Sequence, residues 1–443
     1  MARLLADRWW IAISSTVCVT LLACGGRAGM APLDADPSGR CVVAAFAPAP
    51  RPDTIVVALR GPVDPAHAPV PRNDAERLLF RHLYETLTAV DCEGRIQPRL
   101  AERWLADDDS LRWTFVLRAD ARFWDGAAVA AEDVLAGWGD EVARRLGTTV
   151  RAVGDSAIVI DLAAPYRAMP SLLAAPLFAV RKTTGAAIWP LGTGPFRRIG
   201  PATGGEIVVH ATAGETPVIR FRTVPPSRDA RDLLDSGIDV LLVSRRSVLE
   251  YVTGRSEFAA VALPWNRTYV LLAAGTIVGE GWGRGRGRGR GRSLGAALAR
   301  DAVRVDARAA KPPFWWERRE SCESVLVDAR PRPVGTTARI AYRRSDPVAR
   351  ALAERLVAVS AMQDVAAVGM AAAEYDRSLA AGTEHAYVVA LPRHVLDPCS
   401  HAVPGWVTHL VPLIDTRSWL VTRRNVGPIA IEWDGIPRIE AGR

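Results

Sequence analysis

Residues 83–138 read LYETLTAVDCEGRIQPRLAERWLADDDSLRWTFVLRADARFWDGAAVAAEDVLAGW, and this stretch decides the fold. Within it, polar and apolar residues alternate over 111–118, which predicts a strand. Asp125 and Gly126 predict the turn that follows, because glycine adopts backbone angles that other residues avoid. A helix is predicted over 132–145, and its acidic start is favoured by the helix dipole.

Strand and helix patterns continue on both sides of this stretch. Upstream, the apolar run 54–60 predicts a buried strand, and the spacing of apolar residues over 76–87 predicts an amphipathic helix. Downstream, a helix is predicted over 227–236, with Ser227 as its N-cap and a glycine as its terminator. Between 338 and 391 the patterns follow the order β-α-β-α-β, which indicates an open, largely parallel sheet.

The motifs of residues 83–138 resemble, in order and spacing, those of the bacterial extracellular solute-binding proteins of family 5. These proteins are the dipeptide, oligopeptide and nickel receptors of ABC importers. The matching residues are Leu83-Tyr84-Glu85, Leu87, Asp91, Gly94, Ile96, Pro98, Leu100-Ala101-Glu102, Trp104, Thr114-Phe115, Leu117-Arg118, Phe123, Asp125-Gly126 and Glu132-Asp133-Val134. Weaker matches at 192–196, 219–240 and 292–301 extend the resemblance over roughly 54–400.

The resemblance implies an α/β fold like that of the type II periplasmic binding proteins. Two α/β lobes are joined by two crossovers, and an extra subdomain is inserted in the first lobe. We therefore expect the first lobe over 53–270, with the inserted subdomain at about 95–190. The second lobe is expected over 271–395, and a return to the first lobe over 396–443.

The function implied by this resemblance is that of the substrate-binding component of an ABC importer. The protein would capture a small peptide or another small polar solute in the cleft between its lobes and deliver it to the permease. The catalytic motifs H-E-x-x-H, the P-loop and G-x-G-x-x-G are absent from the sequence, so we expect neither an enzyme nor a cofactor. The alternative is a binding-fold lipoprotein that does not transport, such as an envelope sensor or interaction module.

The segment 390–398 resembles the second crossover of the family, where peptide receptors hold the ligand's amine with a carboxylate. His394 stands at that position with Arg393 beside it, which argues against a ligand with a free amine, although Asp397 is an alternative carboxylate. Other expected ligand contacts lie near the two predicted crossovers. The complete set of ligand-binding candidates is Trp265, Asn266, Tyr269, Arg393, His394, Asp397 and Trp406.

Four of the seven histidines, at positions 385, 394, 401 and 409, lie within 25 residues. Imidazole groups suit nickel and similar metals, so a metal-chelate receptor is a further alternative. No pair of them has the i, i+4 spacing of a helical metal site, and no cysteine motif typical of zinc is present. The sequence therefore predicts no metal site.

The N-terminus predicts export. An apolar run follows Arg3 and Arg8 and ends in LLACG, which resembles the lipobox of bacterial lipoproteins. We expect a signal peptide over 1–23, lipidation of Cys24, and a flexible tether over 24–52. The predicted location is the bacterial cell envelope, on the periplasmic or extracellular face of the membrane that holds the anchor.

The remaining cysteines are even in number, as is typical of exported chains with disulfides. Two disulfides can be paired in three ways, and proximity in the sequence favours Cys41 with Cys92 and Cys322 with Cys399.

The net charge of +8 first suggests a polyanion-binding protein, but it is unevenly distributed. The run GRGRGRGRGR at 283–292 supplies five arginines and the signal peptide one net charge, so the rest of the chain is close to neutral. The run is predicted to be an expanded surface loop in the second lobe. We therefore expect a monomer that does not bind nucleic acid, with polyanion binding through this loop as a minor alternative.

Overall fold

The computed structural model describes most of the chain between residues 41 and 441. The described ranges are 41–43, 50–138, 149–185, 187–200, 204–214, 217–273, 298–300, 305–309, 337–359, 364–393, 404–407 and 409–441. Some features singled out from the sequence lie outside these ranges, namely the signal peptide, Cys24, the run 283–292, Cys322, His394, Asp397 and Cys399. Within the described ranges, no helix has the length and apolar character needed to cross a membrane.

Helices and strands are both distributed along the described part of the chain. The helices are α1 (Asp74–Leu83), α2 (Ala131–Trp138), α3 (Met169–Leu172), α4 (Ala230–Asp235), α5 (Arg246–Thr253), α6 (Pro347–Val359) and α7 (Ala372–Ala381). The strands are β1 (Val42–Val43), β2 (Thr54–Leu59), β3 (Thr88–Val90), β4 (Ile96–Pro98), β5 (Ala101–Ala106), β6 (Arg112–Leu117), β7 (Thr149–Val153), β8 (Ala157–Asp161), β9 (Phe196–Arg198), β10 (Glu206–Ala211), β11 (Val218–Thr223), β12 (Val240–Val243), β13 (Phe258–Ala262), β14 (Arg267–Ala273), β15 (Ala307–Ala309), β16 (Ala338–Arg343), β17 (Val365–Met370), β18 (Ala386–Pro392), β19 (His409–Thr416), β20 (Trp419–Arg423), β21 (Ile429–Ile431) and β22 (Pro437–Ile439).

The first lobe is built on a seven-stranded sheet with the strand order β13-β20-β12-β2-β11-β10-β9. The predicted apolar strand β2 lies at its centre, parallel to both β11 and β12. Ile55 and Leu59 of this strand are fully buried, and they share a core with Leu79 and Leu83 of α1. Because β2 and β12 are parallel, their carboxyl ends reach the same edge of the sheet.

The second lobe contains a six-stranded sheet with the order β15-β19-β14-β18-β16-β17. β16 runs parallel to β17 and to β18, while α6 and α7 connect these strands. The β-α-β-α-β series predicted from the sequence is therefore confirmed. Leu352 and Leu356 of α6 are buried against this sheet, as the helical spacing of apolar residues requires.

Two short connections join the lobes, at residues 263–266 and 417–418. The first lies slightly before the predicted boundary at 270. The second lies well after the predicted return at 396, because β19 still pairs with β14 along its length before the chain enters β20. The proline-containing segment 390–398 suggested the end of the lobe, but strand pairing carries the chain back into the same sheet.

The inserted subdomain has its own antiparallel sheet, with the order β5-β6-β8-β7, and its own apolar core. Phe115 and Ile158 are fully buried there, and Trp113 is only 7% exposed. The sheet shares no strand with the seven-stranded sheet. Its core is therefore built from residues that lie close together in the sequence, between α1 and β9 of the first lobe.

Helix α4 begins later than the sequence suggested. Asp229, not Ser227, caps it, since the Asp229 carboxylate accepts a hydrogen bond of 2.9 Å from the backbone N–H of Arg231. Gly237, the predicted terminator, follows the helix with a φ of +87°. Aspartate and serine are N-caps of similar strength, so the difference lies in position: Asp229 stands directly before the first helical residue, and Ser227 lies two residues earlier.

Cys41 and Cys92 form a disulfide across 51 positions of the sequence. Beside it, β1 pairs with β21, so this segment is held covalently to the turn between β3 and β4 and by strand pairing to the end of the first lobe. The other candidate cysteines lie outside the described ranges.

Candidate ligand-binding cleft

A cavity of about 530 Å³ lies between the two sheets, and both lobes line it. The first lobe contributes the ends of β2 and β12 and the start of α1. The second contributes β14, β18 and the connection between β16 and α6. Ligands of α/β proteins commonly bind beyond the carboxyl ends of parallel strands, and the volume lies within the roughly 300–1,000 Å³ of small-molecule pockets.

The start of α1 forms one wall of this cleft. Asn73 caps the helix by accepting a hydrogen bond from the backbone N–H of Glu76 at 3.0 Å. Asp74 forms ion pairs with Arg77 at 3.2 Å and with Arg267 of β14 at 2.8 Å. The second pair connects the two lobes directly, and Asp74 raises the pKa of the Arg267 guanidinium.

Tyr269 lies on the opposite wall, in the second lobe. Its hydroxyl donates to the Asp346 carboxylate at 2.9 Å, and burial raises the pKa of Tyr269 well above its usual value. Asp346 also caps α6, because one of its oxygens accepts hydrogen bonds of 3.0 Å from the backbone N–H groups of Val348 and Ala349. The protein's own groups thus hold both the hydroxyl and the carboxylate in fixed positions.

The first crossover carries Trp265, a half-buried indole. The guanidinium groups of Arg308 and Arg417 lie 4.3 and 4.4 Å from its ring centre. Arg417 belongs to the second crossover and forms an ion pair with Asp306. Cation–π contacts to one tryptophan therefore connect the two crossovers.

Asp415 is buried at the end of β19, next to the second crossover, with only 1% exposure. It accepts a hydrogen bond of 2.8 Å from the Thr268 hydroxyl and lies 3.4 Å from the Arg308 guanidinium. Burial raises the pKa of the Asp415 carboxyl to about 6, although Thr268, Arg308 and Arg393 each act to lower it.

The structure brings only some of the predicted ligand contacts to this cavity. Asn266 and Tyr269 line it, whereas Trp265, Arg393 and Trp406 do not. Arg393 stacks on the Trp433 ring at 4.3 Å, and its guanidinium donates to the Trp265 carbonyl. These contacts fasten the second lobe to the first beside the cleft.

Trp406 lies in the second lobe, away from the cavity lining. Its ring centre is 5.2 Å from that of Tyr387, and its indole N–H donates to the Leu379 carbonyl at 2.8 Å. These contacts make Trp406 a packing residue of the second lobe. The candidates His394 and Asp397 lie outside the described ranges, so their ligand contacts stay predictions.

The cleft also contains residues that the sequence did not single out, above all the arginines at its walls and Asp346. The signal available for Asp346 was local, since an acid directly before Pro347 is typical of a helix start. No local pattern distinguishes Arg77 or Arg267 from the many other arginines. Among the residues that the structure describes, no group of three or more histidines, cysteines or acids is arranged to hold a metal ion.

Comparison with known proteins agrees with this architecture. Residues 95–209 match the family model described as bacterial extracellular solute-binding proteins, family 5 Middle. Over 130 residues, the chain is 28% identical to a probable peptide ABC transporter periplasmic-binding protein of Sinorhizobium fredii. That match covers 26% of this chain and only 24% of the relative, and matches to further curated relatives cover 10–14% of their lengths.

Solved structures extend the likeness to nearly the whole fold. NikA from Brucella suis, in complex with Fe(III)-EDTA, has a TM-score of 0.66 at 17% identity, with 86% of this chain and 98% of NikA covered. The murein tripeptide binding protein MppA of Escherichia coli has a TM-score of 0.60 at 13% identity, with 88% and 99% covered.

Two sheets joined by two crossovers, with an interlobe cavity and an inserted subdomain, define the fold of the type II periplasmic binding proteins. Over residues 95–209 the chain is similar to the bacterial extracellular solute-binding proteins of family 5, and the curated relatives matched over short segments are binding proteins. The fold expected from the sequence is confirmed, and the family resemblance is supported over this matched segment.

Proposed function

We propose that this protein is the substrate-binding component of an ABC importer and takes its ligand in the cavity between the lobes. The ligand is a small peptide or another small polar solute. The observation that carries the proposal is the 530 Å³ cavity itself, because both lobes line it at the carboxyl ends of their parallel strands.

Capture works by closure of the lobes. The crossovers at 263–266 and 417–418 are short, so small backbone changes there can turn one lobe against the other. A ligand that touches both walls binds the closed form better than the open form and shifts the population towards it. The closed form is then the species that a permease recognises.

The relatives support a range of ligands. Their names specify peptide, murein tripeptide and Fe(III)-EDTA, all of them small solutes. We extend this role to the present chain as a binding protein, held at the envelope by lipid on Cys24. A Cys24→Ser variant should move from the membrane fraction to the soluble fraction of cells.

The test of ligand capture is native mass spectrometry of the purified protein, followed by thermal unfolding with and without the recovered solute. A ligand bound only to the folded state raises the unfolding temperature. Ser345→Trp, which adds an indole to the cavity wall, should abolish the bound mass. Ser227→Trp changes an exposed residue that does not line the cavity and should retain the bound mass.

Absence of bound mass and of any thermal shift across a broad panel of solutes would refute ligand capture. A protein that binds its solute while a deletion strain imports that solute normally would instead be the non-transporting binding lipoprotein.

A further inference from the structure

The walls of the cleft carry an unusual balance of charge. Six arginines but only two acidic residues are among the residues that line it, which leaves a formal excess of four positive charges. The arginines are Arg60, Arg72, Arg77, Arg267, Arg343 and Arg417, and the acids are Asp74 and Asp346. Arginine stays protonated in proteins, so this excess does not depend on pH in the physiological range.

Both carboxylates are already engaged by the protein. Asp74 pairs with Arg77 and Arg267, and Asp346 accepts from the Tyr269 hydroxyl and from the first turn of α6. Neither is therefore placed to neutralise the ammonium group of a ligand. A cationic solute would meet net repulsion at this surface.

Acids outside the cavity lining neutralise two of the arginines. Arg343 pairs with Asp376 at 2.5 Å, and Arg417 pairs with Asp306. Removing both from the count leaves four guanidinium groups facing two carboxylates. An excess of two positive charges thus remains on the cleft walls.

Arg267 is paired with Asp74, so the excess lies on the three arginines of the first lobe. Their three charges face the one remaining acid of the lining, Asp346. Arg60 donates to the backbone carbonyls of Pro226 and Arg228, and no carboxylate among the described residues lies within ion-pair distance of it. Arg72 is exposed and likewise forms no ion pair with a described residue. Arg77 is 7% exposed, and its Nε atom is buried without a hydrogen-bond partner among the described residues.

We propose that the ligand is a small organic dianion, held through carboxylate or phosphate groups by the guanidinium groups of Arg60, Arg72 and Arg77. Guanidinium binds both of these oxyanions with paired, charge-assisted hydrogen bonds. The inference rests on the proposed function, and it narrows the solute to one class. Electrostatic attraction into a cleft of this sign also speeds capture.

Isothermal titration of the full exported protein, freed of bound solute by unfolding and refolding, tests the charge of the ligand. The probes are the tripeptides Glu-Ala-Glu, Gln-Ala-Gln and Lys-Ala-Lys, which match in size, together with the dianions succinate and glucose 6-phosphate. We expect at least one dianionic probe to bind about tenfold or more tighter than Gln-Ala-Gln. Succinate against glucose 6-phosphate distinguishes carboxylate from phosphate recognition, and Lys-Ala-Lys should bind weakest.

Substitution of single arginines tests which of them bind the anion. Arg72→Gln removes an exposed charge with little risk to folding, and Arg60→Gln removes a second. Each substitution should lower the affinity for the tightest-binding anionic probe about tenfold, and it should make that affinity less dependent on salt concentration. Arg103→Gln, an exposed arginine of β5 outside the cavity lining, is the matched control and should change neither.

The outcomes separate the two proposals. If Gln-Ala-Gln or Lys-Ala-Lys binds best and Ser345→Trp abolishes that binding, the anionic class is wrong while solute capture stands. If the dianions bind best but the Arg60 and Arg72 variants match the control, the assigned arginines are wrong. If no probe binds and native mass spectrometry finds no retained solute, both proposals fail.

Discussion

At the end of β19, the Asp415 carboxyl has a pKa of about 6, against an ordinary value of 3.8. Between these values the folded protein holds a proton that the unfolded chain has lost. Since the native state binds more protons, this group makes the free energy of unfolding fall as pH rises from about 4 to 6. The full contribution of a shift of this size is about 3 kcal/mol.

Asp415→Asn should remove this dependence, because the amide keeps an oxygen for the Thr268 hydroxyl but carries no charge to desolvate. We expect the variant to gain stability relative to the parent above pH 6 and to lose that advantage below pH 4. Urea unfolding of both proteins across this range measures the difference, in which the other titrating groups cancel. If the free energies of unfolding of the two proteins depended on pH in the same way, burial of the Asp415 carboxylate would have no effect on stability.

The surroundings of Gly192 leave no room for a side chain. A Cβ atom there would lie 2.2 Å from the Leu83 carbonyl oxygen and 2.5 Å from the Trp124 ring. Gly192→Ala should therefore destabilise the first lobe by roughly 1–3 kcal/mol, measured by thermal unfolding. Gly254→Ala is the control, since its added Cβ would meet no atom closer than 3.6 Å, and equal melting temperatures for the two variants would contradict this account.

Among the elements, the β1–β21 pair depends on the disulfide that anchors it. The bond between Cys41 and Cys92 spans 51 positions, so the chain-entropy model assigns it about 4 kcal/mol. Replacing both cysteines with serine should lower the free energy of unfolding by approximately this amount, as chemical denaturation can measure. An unchanged midpoint in the double variant would mean that strand pairing alone fixes this segment.

Elements with local signals were predictable, and long-range pairing was not. The apolar spacing of α6 and α7 and the runs of β16 to β18 gave the correct series, because each pattern is contained within a single short segment of at most 13 residues. The second crossover was misplaced, because the pairing of β19 with β14 joins segments more than 130 residues apart. A proline such as Pro392 interrupts a pattern, but it does not determine which sheet the chain enters next.

At the scale of the whole molecule, the sequence predicted where the candidate cleft lies but not which side chains line it. Asn266 and Tyr269 were identified because they lie near the first crossover, which the family resemblance located. The arginines of the cleft come from positions as distant as 60, 77, 267 and 417, and only the fold brings them together. A chain that is nearly neutral outside residues 1–23 and its Gly-Arg run thus has a cavity with a net positive charge.

The position of β20 in the seven-stranded sheet determines the order in which the protein can be completed. This strand lies between β13 and β12, and its fully buried Leu420 belongs to the same core as Ile55 of β2. When the chain is synthesised from its N-terminus, the position between β13 and β12 stays empty until the second lobe and then β20 have been made. The lobe that begins first is finished last, and in that interval its exposed strand edges need protection from aggregation.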